Sequence, residues 1–99
     1  MNMQQRIEST LNALQPEYLS VLDEGHMHSR GLETHFKAVV VSEQFTGLNS
    51  VKRHQKVYAT LGDLMGEFHA LALHTFTLAE WRARDRRIPQ SANCLGGGH

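Results

Sequence analysis

The sequence predicts an α+β fold: a three-stranded mixed sheet with helices packed on one face, in the order α-β-β-α-β-α. Three observations predict it. Apolar residues recur at three- and four-residue spacings in two separate stretches, the mark of amphipathic helices. Between them lies Phe36-Lys-Ala-Val-Val-Val41, a β-branched run that is apolar on both faces and therefore suits a central strand. Near the end, Thr77-Leu-Ala-Glu80 has the spacing of a reciprocal helix cap.

Each element has its own justification. Met3, Ile7, Leu11 and Leu14 fall on one helical face, Asn2 can cap the start, and Pro16 restricts Gln15 and stops the helix. Tyr18 to Asp23 alternates Leu19 and Val21 against Ser20 and reads as a short strand. Glu24 to Thr34, with Gly25, Ser29, Gly31 and two histidines, reads as a polar loop. After the Phe36–Val41 strand, Phe45-Thr-Gly47 makes a turn. Val51, His54, Tyr58, Leu61 and Met65 then form a helical stripe that ends near Gly66. Phe68 to Phe76 is too apolar and short for a surface helix and reads as the third strand. In the last helix Phe76 and Trp81 occupy the two positions of a hydrophobic staple, and the body runs from Trp81 to about Arg87 before Pro89. Strands one and two are expected to pair antiparallel; strands two and three, joined through a helix, are expected to be parallel. The folded domain is expected to span 1–88 and the polar, Gly-rich 89–99 to be a disordered tail.

Composition narrows the function. The chain has 99 residues, 40% hydrophobic and 20% charged, which describes one ordinary globular domain. No apolar run approaches the roughly 20 residues needed to cross a bilayer, and the first residues lack the apolar core of a signal peptide, so a cytoplasmic address is expected. Ten basic and ten acidic residues cancel, although residues 1–36 carry −3 and residues 37–99 carry +3. One cysteine, Cys94, excludes an internal disulfide and a self-sufficient thiolate metal site. Seven histidines are many for so short a chain.

Several linked motifs resemble the BolA family: Thr34-His-Phe-Lys-Ala-Val-Val-Val-Ser42, Phe45-Thr-Gly47, Arg53-His54 with Val57-Tyr58, and His69-Ala-Leu-Ala-Leu-His-Thr75 followed by Thr77 and Trp81. The likeness runs from Met3 to Trp81 and implies a fold similar to class II KH domains. Two features depart from the family pattern, and a third departs from true KH domains, whose Gly-x-x-Gly clamp is absent. The first inter-strand loop is about two residues short, and Leu78 stands where a proline is usual. Gly47-Leu-Asn-Ser occupies the region of the Gly-x-x-Gly clamp with which true KH domains hold RNA.

The resemblance implies pairing with a monothiol glutaredoxin across a bridging [2Fe-2S] cluster. Such a cluster takes four ligands, generally thiolates, with histidine able to replace some. This chain can offer imidazoles, while a partner thiolate and glutathione would bring the sulfur. His69 matches the family ligand at the start of the third strand; His28, or alternatively His26, matches the loop ligand. His26-x-His28 could also capture zinc, nickel or copper adventitiously. Among the other histidines, His54 is expected to be a buried structural imidazole hydrogen-bonded to backbone. His74 is expected to be structural or partner-facing, His35 to be solvated, and Cys94 to be an inert tail thiol.

A second class of function is nucleic-acid binding. Some family members are implied to be DNA-binding transcriptional regulators of stress response and cell shape. Lys52, Arg53 and Lys56 follow the Phe-Thr-Gly turn and could meet phosphates, and Arg82, Arg84, Arg86 and Arg87 cluster near the last helix. No arrangement of nucleophile, base and carboxylate forms a catalytic motif, so the chain is not expected to be an enzyme.

Overall fold

A computed structural model of the chain describes residues 2–24, 35–68 and 70–87. Within them, six elements follow the predicted order: α1 (Met3–Leu11), β1 (Tyr18–Asp23), β2 (His35–Val41), α2 (Ser50–Leu61), β3 (Ala70–Phe76) and α3 (Leu78–Ala83). Short 3-10 turns follow α1 at Asn12–Leu14, precede α2 at Glu43–Phe45, and extend it at Gly62–Glu67. The histidines His26, His28 and His69 and the tail, Cys94 included, lie outside the described residues.

The sheet runs β1-β2-β3, with β1 antiparallel to β2 and β3 parallel to it. Val41 pairs with Tyr18 on one side and Phe76 on the other; Phe36 pairs with Asp23 and Leu71. β2 is buried on both sides from Phe36 to Val41, as its composition requires of a central strand. Phe36, Ala38 and Val40 join Leu19, Val21, Leu71 and Leu73 in the main core. Met3, Ile7, Leu11 and Leu14 cover them from the first helix and its 3-10 turn, and Val57, Leu61 and Leu64 from the second.

The third helix corrects the expectation that all helices pack on one face. Val39 and Val41, the alternate residues of β2, form a second cluster with Trp81 of α3 on the opposite side. Trp81 stacks on Tyr18 at 5.0 Å between ring centroids and leans on Phe76 at 5.5 Å. The staple and cap therefore steer α3 to the other layer. Thr77 Oγ1 accepts from Glu80 N at 3.3 Å, and Glu80 Oε1 accepts from Thr77 N at 2.9 Å.

Three boundaries also differ from the sequence reading. α2 ends at Gly62 rather than near Gly66, because Gly62 adopts φ 55°, ψ −129°, a conformation open only to glycine. Of the predicted stripe Leu61 is buried, but Val51 and Tyr58 are 64% and 39% exposed, and Val57 takes their place on the buried face of α2. Phe68 precedes β3 instead of starting it, and meets Phe36 edge-on at 5.6 Å. α3 closes four residues before Arg87 in a Schellman turn: Arg86 N donates to Trp81 O (2.9 Å) and Asp85 N to Arg82 O (3.0 Å), with Asp85 at φ 55°.

Candidate functional site

One end of the sheet brackets the segment that carries the loop histidines. Glu24 N donates to His35 O at 2.8 Å, so the backbone entering and leaving 25–34 is tied together. His35, the half-buried first residue of β2, pairs with Ala70, the first residue of β3. Phe68 and Ala70 flank position 69 in sequence. The described neighbours of all three candidate ligands thus converge on one edge of the fold. Among the described residues no group of three or more His, Cys, Asp or Glu is placed to hold a metal ion.

The basic run on α2 divides. Asn49 caps the helix, its side chain accepting from Lys52 N at 2.9 Å. Lys52 is exposed and Lys56 half-buried, and no acid occurs from Ser50 to Leu61. Arg53 turns inward instead. Its Nε donates to Leu48 O at 2.8 Å, and its guanidinium grips both oxygens of Glu80 at 2.6 and 3.0 Å and reaches Thr75 O at 3.4 Å. This single side chain joins the turn before α2, the end of β3 and the cap of α3. The fork holds the Glu80 carboxyl at about 2, well below its ordinary 4.5, chiefly through the hydrogen bond from Arg53. Charge-run reasoning grouped Arg53 with the lysines because a run of cations carries no mark of which one points inward.

His54 sits half-buried with its ring edge-on to Tyr58, 6.3 Å between centroids, and burial lowers its pKa. Among the described residues it makes no hydrogen bond, in contrast to the backbone partner expected of it. His74 shares a strand face with Ala70, Ala72 and Phe76, as its alternation predicts. Its Nε2 is buried without a hydrogen-bond partner. Burial lowers the His74 pKa first, with further lowering from Lys37, Arg84 and His54, against an opposing pull from Glu24. Of the arginines near α3, Arg84 lies 5.0 Å over the Phe76 ring and donates from Nε to Arg87 O, whereas Arg82, Arg86 and Arg87 are exposed.

No helix among the described residues is long and apolar enough to cross a membrane. The family model for BolA-like proteins matches residues 11–80. The chain is 48% identical to the DNA-binding transcriptional regulator BolA of Vibrio cholerae over 99 aligned positions, covering 96% of this chain and 93% of that protein. It is 43% identical to the regulator of the same name from Escherichia coli, covering 99% of this chain and 97% of that protein. Among solved structures, BolA1 from Arabidopsis thaliana matches with a TM-score of 0.75 at 35% identity, over 81% of this chain and 96% of that one. With the family model matched over most of its length and these relatives aligned over nearly all of it, the chain belongs to the BolA family.

Proposed function

We propose that this chain works as a DNA-binding transcriptional regulator. The observation that carries the reading is kinship: bacterial relatives aligned over nearly their full length bear that name. The geometry supplies means for it. Lys52 and Lys56 project from a helix with no acid of its own, and the Arg53–Glu80 fork fixes the approach of that helix to the sheet. Phosphate contacts of this kind release counterions, so each lysine engaged steepens the salt dependence of binding by about 0.9 in log–log slope. The test is fluorescence anisotropy with duplexes across a salt series. Lys52→Ala and Lys56→Ala are each expected to weaken binding and flatten the slope by about one. Unchanged slopes would remove α2 from the interface, and absence of binding by the unaltered chain to every promoter fragment tried would overturn the reading.

A second reading is favoured by the sheet topology. The ends of segment 25–34 and the start of β3 meet at one edge, as the Glu24–His35 bond and the His35–Ala70 register require. This supports a [2Fe-2S] cluster shared with a monothiol glutaredoxin, with His69 and His28 (or His26) as this chain's ligands. The donor set fits half of such a centre, since the chain holds one sulfhydryl and many imidazoles. The cluster would supply a redox- and iron-sensitive link to the partner. Ligation needs neutral imidazole, so acidification competes with it. Mixing with cluster-loaded glutaredoxin should change the visible circular dichroism; His69→Ala should abolish the change and His28→Ala weaken it. A spectrum identical to that of glutaredoxin alone would sink this reading.

A further inference from the structure

The sheet has two edges, and they are guarded unequally. On β1 the side chain of Gln4 donates to Val21 O at 2.6 Å, and the acids Glu17 and Asp23 stand at its two ends. β3 is the other edge strand. From Ala70 to Phe76 it holds no acid, lysine, arginine or proline, the residues that commonly protect an edge from pairing. Ser42 N donates to Phe76 O, so Phe76 and, by alternation, His74, Ala72 and Ala70 turn their backbone groups towards β2. Leu71, Leu73 and Thr75 turn theirs outward. Arg53 reaches Thr75 O at 3.4 Å. Among the described residues the N–H and C=O of Leu71 and Leu73 make no hydrogen bond on that outer side.

An apolar stripe of α2 runs alongside. Val51, His54 and Tyr58 are three and four residues apart and share one side of the helix, with Val51 and Tyr58 exposed. That side lies next to β3, since the charge of His54 acts on His74 while its ring meets Tyr58 edge-on. Lys52 and Lys56 fall off the stripe. A nucleic acid or an acidic segment would find no lysine or arginine on the stripe or on β3, whereas a second copy would bring the same uncharged row and meet no like charge. The free groups dictate the register. Pairing Leu71 with Leu73 of the second copy uses all four of them and leaves Thr75 O with Arg53. Ala72 then faces Ala72 across the two-fold axis, in the narrow kind of pair where Cα atoms approach to about 4.5 Å and a small side chain fits. With strands about 4.8 Å apart, a helix above the β2–β3 junction comes to about 10 Å from its copy, the usual distance for packed helices. From this we infer that the chain forms a two-fold dimer through β3, joining two three-stranded sheets into one antiparallel seam over which the Val51, His54 and Tyr58 stripes of the two copies pack on each other.

Roughly ten residues a side take part, against about 20–30 in a standard interface, so the dimer is weak, with a dissociation constant on the order of 0.1 mM. The full chain is studied under reducing conditions, so that Cys94 forms no cross-link. Sedimentation velocity from about 10 µM to about 1 mM is expected to pass from monomer to dimer. Over the same range amide exchange of Leu71 and Leu73, read by NMR, should slow severalfold, and a mixture of labelled and unlabelled chains should show an Ala72-to-Ala72 Hα contact between copies. Tyr58→Lys, at an exposed position that leaves the fold intact, should weaken association roughly tenfold. A monomer at about 1 mM overturns the inference. So does a dimer in which the Leu71 and Leu73 amides exchange as they do when dilute, an unchanged dissociation constant in Tyr58→Lys, or protection of those amides that arises only when duplex DNA is added. The measurement uses neither DNA nor a cluster, so its failure is distinct from failure of either functional reading.

Discussion

The Arg53–Glu80 fork lends itself to a quantitative test through Glu80→Gln, which keeps the side-chain shape and removes the charge. The carboxyl is held at about 2 against an ordinary 4.5, which taken at face value would correspond to roughly 3 kcal/mol. Glu80's side chain is 47% exposed, however, and solvent screening brings such a pair to about 1 kcal/mol. That amount should lower Tm by about 4–8 °C at neutral pH in a domain of this size. The pH dependence has a definite sign. A carboxyl depressed in the folded state stabilises above its unfolded value of 4.5, and the contribution is lost as pH falls through the folded value near 2. Thermal unfolding of the two proteins followed by circular dichroism should therefore show a gap that is constant from pH 7 to 5 and closes towards pH 2. A gap below 1 °C at pH 7, or one that stays the same at pH 2.5, would refute the assignment of this pair as a stabilising clamp. Arg53→Ala should cost at least as much, because Leu48 O loses its donor as well.

Other perturbations have equally direct readouts. Gly62→Ala should destabilise by about 1–2 kcal/mol from backbone strain alone, since φ is 55° and a Cβ there would touch nothing. Gly66→Ala, where φ is not positive, should be neutral or slightly stabilising; chemical denaturation of the pair checks both. Trp81→Ala should cost about 3–5 kcal/mol by emptying the second cluster, and Tyr18 fluorescence should report the loss of its stacking partner. His54 and His74 both have lowered pKa values through burial, so the unfolded chain takes up protons first as pH falls below 6.5. Stability should accordingly drop between pH 7 and 5, and His74→Gln should flatten that part of the profile.

What the sequence disclosed was whatever one local pattern could decide. The Met3–Leu14 face has a single surface to bury, so spacing alone identified it. β2 declared its central place by having apolar residues on both sides, and the capping box and staple at Thr77–Trp81 are complete within six residues. The α2 stripe misled because Val51 and Tyr58 are apolar yet stand at the solvent side, and periodicity does not tell which of two overlapping stripes the sheet will accept. The layer occupied by α3 depends on where Trp81 finds Val39 and Val41, some forty residues earlier. The termination at Asp85 and Arg86 carries no glycine to announce it. For the candidate sites, the basic run was visible but the inward turn of Arg53 rests on Glu80, 27 residues away.

Ser42, fully buried just after β2, bears on how the ends of this chain are joined. Its hydroxyl donates to Leu14 O at 2.7 Å and accepts from Gln44 N at 3.1 Å, while its amide donates to Phe76 O at 2.9 Å. One small residue thereby fastens the exit of the first helix, the turn ahead of the second and the last residue of the third strand. Displacement of the opening segment must be felt at the strand that leads into α3, by a route that bypasses the hydrophobic interior. An alanine there would leave the Leu14 carbonyl without its donor in a buried place, at about 1–3 kcal/mol, and would release the beginning of the fold from its close while the amide bond to Phe76 O remained.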